Sequence, residues 1–261
     1  MQTSEDATWQ DVRQDPTGFP PLELKSAHVW RLEVSATLGW LRSADQMLNA
    51  EERIRADRFH FEQDRSRFAL CRAALRLLLG RYLAADPGSI RFQYEEHGKP
   101  RLSDDNRRSS GSLEFNVSHS GDLALMAFGR SGPLGVDVER LRGEIEMQAL
   151  AERFFSPQEV AELNALPPAE RAVGFFNCWT RKEAYVKARG QGLSLGLDSF
   201  AVTLRPGVAP ALAWSRQGSG ETSSWRLWDL PTPAGYRASL ASPAEVQALR
   251  LFSFAPDGRL S

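Results

Sequence analysis

The feature that most limits how this chain can fold is an order of patterns that occurs twice: a strand, then helices, then short strands. Residues 29–35 alternate large and polar side chains as a strand does. Residues 44–84 carry apolar side chains at helical spacing, with Ser43 and Asp64 as expected helix caps, and strand patterns follow at 90–94, 113–118 and 123–128. A second round opens near residue 134 with branched residues at 134–138. It continues through helical patterns at 147–166 and 169–189, parted by Pro167-Pro168, and ends on strand patterns at 200–204, 211–214, 225–230 and 236–240. In each round a helix (67–80 or 175–190) runs to a glycine and a strand follows. Helices and half-apolar strands must cover one another. The expected fold is therefore α+β, two similar halves in a pseudo-twofold arrangement with a cleft between them. The expected division is an N-terminal extension at 1–27, a first half at 28–133, a second half at 134–241, and a C-terminal tail or extension at 242–261.

Composition narrows the function classes. Hydrophobic residues make up 42% of the 261 residues, enough for a core in either half, and the net charge is only -1. A chain without a global field has no general attraction for nucleic acid or an anionic membrane, so neither partner is expected. The polar, acidic start and the lack of any spanning apolar run predict a cytoplasmic protein. Cys71 and Cys178 both sit in apolar helical patterns and read as buried free thiols. Only four of the 32 basic residues are lysines, and three of them, Lys99, Lys182 and Lys187, fall in the chemical segments described next.

Four segments carry that chemistry. In GVDVE (135–139) Asp137 and Glu139 are two apart on a strand, so both carboxylates share one face and Val136 and Val138 the other. Paired acids repel unless a cation or a base lies between them; on an exposed face they would simply be solvated. In WTRKEAYVK (179–187) Glu183 and Lys187 are one helical turn apart, which fits either a surface ion pair or a site. In FNVSHSGDLALMAF (115–128) Ser118 and His119 end a strand before a Ser-Gly-Asp turn. Adjacent strand residues face opposite ways, so the two are no nucleophile and base, and His119 reads as a phosphate or substrate contact first. In EEHGKPRL (95–102) Gly98 and Pro100 shape a turn that presents Lys99 and backbone amides, a surface suited to an anionic or heterocyclic ligand.

Taken together and in this order, with RFHFEQDRSRFALCRAAL, RFFSPQEV and the run on to LDSF, these motifs resemble phosphopantetheinyl transferases of the surfactin-synthetase-activating (Sfp) type over about residues 29–240. The pair GVDVE plus W-x-x-K-E-x-x-x-K is the most specific part. The resemblance implies a holo-carrier-protein synthase: Mg²⁺-dependent transfer of 4′-phosphopantetheine from coenzyme A to a serine of an apo acyl, peptidyl or aryl carrier protein. It implies Asp137, Glu139 and Glu183 as Mg²⁺ ligands and Lys187 as a catalytic contact to the phosphates. Glu183, directly or through a water on the metal, is the implied base. Coenzyme A contacts are implied for Arg55, Arg67, Gly98, Lys99, Pro100, Ser118 and His119. The preceding basic position of those members is Glu52 here, where Arg53 or Arg55 would compensate. The region 140–166, with Phe154 and Phe155, is the expected carrier-docking surface, and a monomer is expected. Two other readings use the same residues: a Mg²⁺-dependent phosphohydrolase or nucleotidyl enzyme, and a non-catalytic binder of coenzyme A or carrier.

Overall fold

The computed structural model describes residues 8–11, 19–94, 98–104, 113–141 and 146–256. In chain order the elements are β1 (Trp9–Asp11), β2 (Ser26–Glu33), α1 (Leu41–Met47), α2 (Ala50–Ala56), α3 (Glu62–Leu83), β3 (Phe92–Tyr94), β4 (Pro100–Leu102), β5 (Glu114–Ser120), β6 (Leu123–Gly129) and β7 (Gly135–Arg140). They continue with α4 (Met147–Phe154), α5 (Pro157–Asn164), α6 (Pro168–Arg189), β8 (Phe200–Val202), β9 (Leu212–Ser215), β10 (Trp225–Asp229), β11 (Tyr236–Pro243) and β12 (Ala248–Ser253). A five-stranded sheet has the order β1-β12-β2-β6-β5, and a three-stranded sheet the order β10-β11-β7. The fold is α+β, as the patterns predict. Among the described residues no helix is long and apolar enough to cross a membrane.

Alternation along the strands decides the layers. One face of the larger sheet, with Trp30, Phe115, Met126 and Phe128, packs on Leu75, Leu78 and Leu79 of α3. Its other face, with Val29, Leu125 and Ala127, meets Val136, Val138 and Leu240 of the smaller sheet. The far side of the second half is closed by α6, whose Phe175, Tyr185 and Val186 share a core with Leu227 and Ala241. The result is helix, sheet, sheet, helix. Into it comes a strand that the sequence patterns ending at residue 240 do not include: β12 runs parallel to both β1 and β2 and lies between them.

Helix ends differ from the sequence expectations in instructive ways. Gly80 does not end α3, which runs on to Leu83 and stops at Ala84 in the left-handed region, φ +50°. Gly80 is instead needed because a Cβ there would meet Ala85 O at 2.9 Å. Asp64 lies inside the first turn of α3 rather than at its cap, and Ser43 lies within α1. The pattern at 147–166 is two helices, because Ser156 and Glu159 form a capping box and Pro157 takes the first helical position. Gly190 does end α6 as expected, at φ +68°. Both cysteines are free and buried, and burial pushes the Cys71 thiol up to about 12.

The contact that places the second half's chemistry is between β7 and α6. A Cβ on Gly135 would overlap the backbone of Ala184 and Ala188, so the strand and helix touch main chain to main chain. Gly135→Ala is expected to cost about 1–3 kcal/mol or to prevent folding, because neither backbone can yield; an unchanged urea midpoint would contradict this packing. In the first half, Trp30 Nε1 donates to Tyr82 Oη at 2.8 Å, and Tyr82 Oη lies 2.8 Å from His28 Nδ1. Burial, with the charge of Arg250, lowers the His28 pKa to about 3. The unfolded chain therefore binds a proton that the fold refuses. Stability is expected to fall as pH drops from about 6.5 toward about 3, by up to ~1.4 kcal/mol per pH unit from this residue. Denaturant titrations across that window should show the slope reduced by one proton in His28→Gln; an unchanged slope would contradict the burial account.

Candidate active site

Asp137 and Glu139 project from β7 toward α6, and Val136 and Val138 into the core between the sheets, as strand alternation requires. Because Gly135 lets the helix approach, Glu183 and Lys187 arrive beside these carboxylates. Lys187 is paired not with Glu183 but across the interface. Its Nζ donates to Asp137 Oδ1 at 2.6 Å, to Ser118 Oγ at 3.1 Å and to Val136 O at 3.3 Å, which uses all three ammonium hydrogens. Ser118, from β5 of the first half, donates to Asp137 Oδ1 at 2.9 Å. Val117, Ser118, His119, Asp137, Glu139, Trp179, Glu183 and Lys187 line a single cleft of about 380 Å³.

The charges in this cleft are unevenly met. Burial raises the Glu183 carboxyl above its ordinary range; the charges of Asp137 and Glu139 push the same way, against Lys187. Among the described residues Asp137 Oδ2 is buried with no hydrogen-bond partner. Among the described residues no three His, Cys, Asp or Glu side chains are gathered closely enough to hold a metal ion as they stand. The donor chemistry nonetheless fits a hard cation: the acids supply carboxylate oxygens, and one of these is buried without a proton donor.

His119 lies on the opposite face of β5 from Ser118, so the pair does not act as nucleophile and base. His119 is exposed at the strand end, and its pKa is lowered by partial desolvation and by the charges of Arg67 and Lys187. Arg67 reaches from α3 to Gly121 O at 3.4 Å in the turn after β5. Lys99 Nζ donates to Lys187 O at 2.8 Å and so bridges the two halves. Gly98 has φ +76°, and Pro100 starts β4 opposite Tyr94. A second cavity, of about 260 Å³, adjoins this turn and is lined by Lys99, Pro100, Phe115, Arg189 and Trp225 among others.

The remaining expected contacts stand apart from the cleft lining. The Arg55 guanidinium lies over the rings of Phe68 and Tyr94, 5.5 and 5.3 Å from their centroids. Glu52 is buried as the third residue of an Asn49 capping box, with Arg76 Nε at 2.9 Å and Arg72 Nε at 3.7 Å. An acid at this position thus holds α2 to α3. Lys182 is fully buried on Glu159 Oε2 at 2.8 Å and on two carbonyls, away from the cleft. Phe155 belongs to the core, stacked on Phe175, and offers nothing to a partner; residues 142–145 of the expected docking region lie outside the described residues.

Sequence reasoning missed Asn116 and Ser120. With Ser118 they form a polar row on the buried face of β5, and the signal was present as N-x-S-x-S within an otherwise apolar strand pair.

Known proteins are similar along both halves. Residues 35–130 match the family model described as 4′-phosphopantetheinyl transferase, N-terminal, and residues 133–241 the one described as the 4′-phosphopantetheinyl transferase superfamily. The 4′-phosphopantetheinyl transferase HetI of Nostoc sp. is 40% identical over 202 residues, covering 75% of this chain and 84% of its own. The 4′-phosphopantetheinyl transferase Sfp of Bacillus subtilis is 36% identical over 157 residues, 60% of this chain and 66% of its own. The chain belongs to the 4′-phosphopantetheinyl transferase family, of the Sfp type, and is a transferase enzyme.

Proposed function

We propose that the protein moves the 4′-phosphopantetheine arm of coenzyme A onto a serine of an apo acyl, peptidyl or aryl carrier protein, with Mg²⁺ as cofactor and 3′,5′-ADP as the second product. The observation that carries this reading is one cleft in which Asp137, Glu139, Glu183 and Lys187 of the second half meet Ser118 and His119 of the first. Asp137, Glu139 and Glu183 would hold the Mg²⁺. When bound, the ion neutralises the pyrophosphate and the charge that develops on the departing nucleotide.

The side chains supply the rest. Lys187, paired with Asp137, would exchange one of its neutral contacts for a pyrophosphate oxygen. His119 donates a ring N–H to the 3′-phosphate, with Arg67 beside it and Arg55 farther along toward the nucleotide. The turn at Gly98, Lys99 and Pro100 receives the adenine side, and Ser118 is a lesser contact. The carrier serine oxygen forms a bond to the phosphorus that bears pantetheine, the bond from that phosphorus to the 3′,5′-ADP oxygen breaks, and the serine proton passes to Glu183. The carrier expected is one with an acidic surface around its serine.

Mixed with coenzyme A, Mg²⁺ and a panel of apo carriers, the protein is expected to add one phosphopantetheine mass to at least one carrier, and chelation of the metal to stop it. Asp137→Ala and Glu183→Gln should each lower turnover by about 100-fold or more without loss of fold. A panel with no mass gain, or near-normal turnover in either variant, would contradict the proposal.

A further inference from the structure

β7 is the edge of its sheet, and its outward amides point at the larger sheet's inner face. Among the described residues no strand pairs with them there. Side chains on alternate β5 positions do so instead: Asn116 Oδ1 accepts from Val136 N at 2.8 Å, Ser118 Oγ from Val138 N at 3.3 Å and Ser120 Oγ from Arg140 N at 3.1 Å. All three side chains are buried.

A serine hydroxyl has one hydrogen. At Ser120 the Arg140 amide fills an acceptor site, so the hydrogen goes to Glu139 Oε2, 2.7 Å away. One hydroxyl thus ties the seam between the halves to the orientation of a carboxylate in the cleft. Ser118 does the same for Asp137 but also takes a hydrogen from Lys187, which mixes two effects. Ser120 takes no hydrogen from the ammonium; its two bonds are to the Arg140 amide and the Glu139 carboxylate.

We infer that Ser120 is a positioning residue for Glu139, presetting its carboxylate for the divalent cation. Outer hydrogen bonds of this kind fix the rotamer of a ligand that would otherwise sample several, and their loss weakens a metal by about 10–100-fold. The inference rests on the reading that Asp137, Glu139 and Glu183 hold the ion.

The test is Mn²⁺ binding, followed by the electron paramagnetic resonance of free Mn²⁺, in the wild type and in Ser120→Ala, Ser120→Cys, Ser120→Thr and Glu139→Gln. Ser120→Ala should raise the Mn²⁺ Kd by about 10-fold or more. Ser120→Cys, of similar size and a poor donor, should do likewise and carries the test if the alanine variant does not fold. Ser120→Thr, which keeps the hydroxyl, should recover most of the affinity. In turnover assays the serine variants should need more metal but approach wild-type kcat once saturated. Wild-type Mn²⁺ affinity in the folded Ser120→Ala or Ser120→Cys variant, with Glu139→Gln weakened, would overturn this inference alone. Equal weakening by threonine and alanine would overturn it too, by removing the hydroxyl as the cause. If the wild type binds Mn²⁺ no better than Glu139→Gln, the metal reading fails and the inference falls with it.

Discussion

The two halves are joined at the active cleft by side chains that stand in for a missing strand. Buried amides of an edge strand must be paired, at a cost of about 1–3 kcal/mol for each one left open. Asn116, Ser118 and Ser120 supply carbonyl and hydroxyl oxygens at the spacing of alternate residues, so β7 is held at a fixed register against β5. That register sets everything on either side of it. His119 stands on the α3 face of β5, Asp137 and Glu139 on the α6 face of β7, and the cleft opens between them.

A second constraint comes from Gly135. Main-chain contact between β7 and α6 brings Glu183 and Lys187 within reach of Asp137, and concentrates three acids where water is scarce. Like charges so placed repel, and the Lys187 ammonium lies among them with all three hydrogens committed, one of them to Asp137 Oδ1 at 2.6 Å. The Lys99 side chain on Lys187 O then ties the first half's turn to the same helix. Positive charge in the cleft is thus held by contacts from both halves, and among the described residues Asp137 Oδ2 has no hydrogen-bond partner.

The parts of this arrangement that were legible in the sequence are those governed by a local period. Alternation in GVDVE puts Asp137 and Glu139 on one face, and the i, i+4 relation puts Glu183 beside Lys187. Contacts between elements far apart in sequence were not legible, since no local rule pairs Lys187 with Asp137 in place of Glu183. Glu52 looked like a lost basic contact and is a buried cap and ion-pair partner, a role fixed by Arg76 one element away. Phe155 and Lys182 carry residue types that suit a surface or a site, yet both fill the core of the second half. Gly80 resembled a helix terminator and is a point of close approach, and β12 escaped notice because its place lies between strands far away in sequence.

The most direct test of the account is a crystal structure of the enzyme with coenzyme A and Mn²⁺, read by the anomalous signal of the metal. The account predicts one peak bounded by Asp137, Glu139, Glu183 and the coenzyme A pyrophosphate, with the Asp137 Oδ2 oxygen among the ligands and Lys187 Nζ on a phosphate oxygen. A peak outside that carboxylate group, or a pyrophosphate bound away from Lys187 and His119, would contradict it.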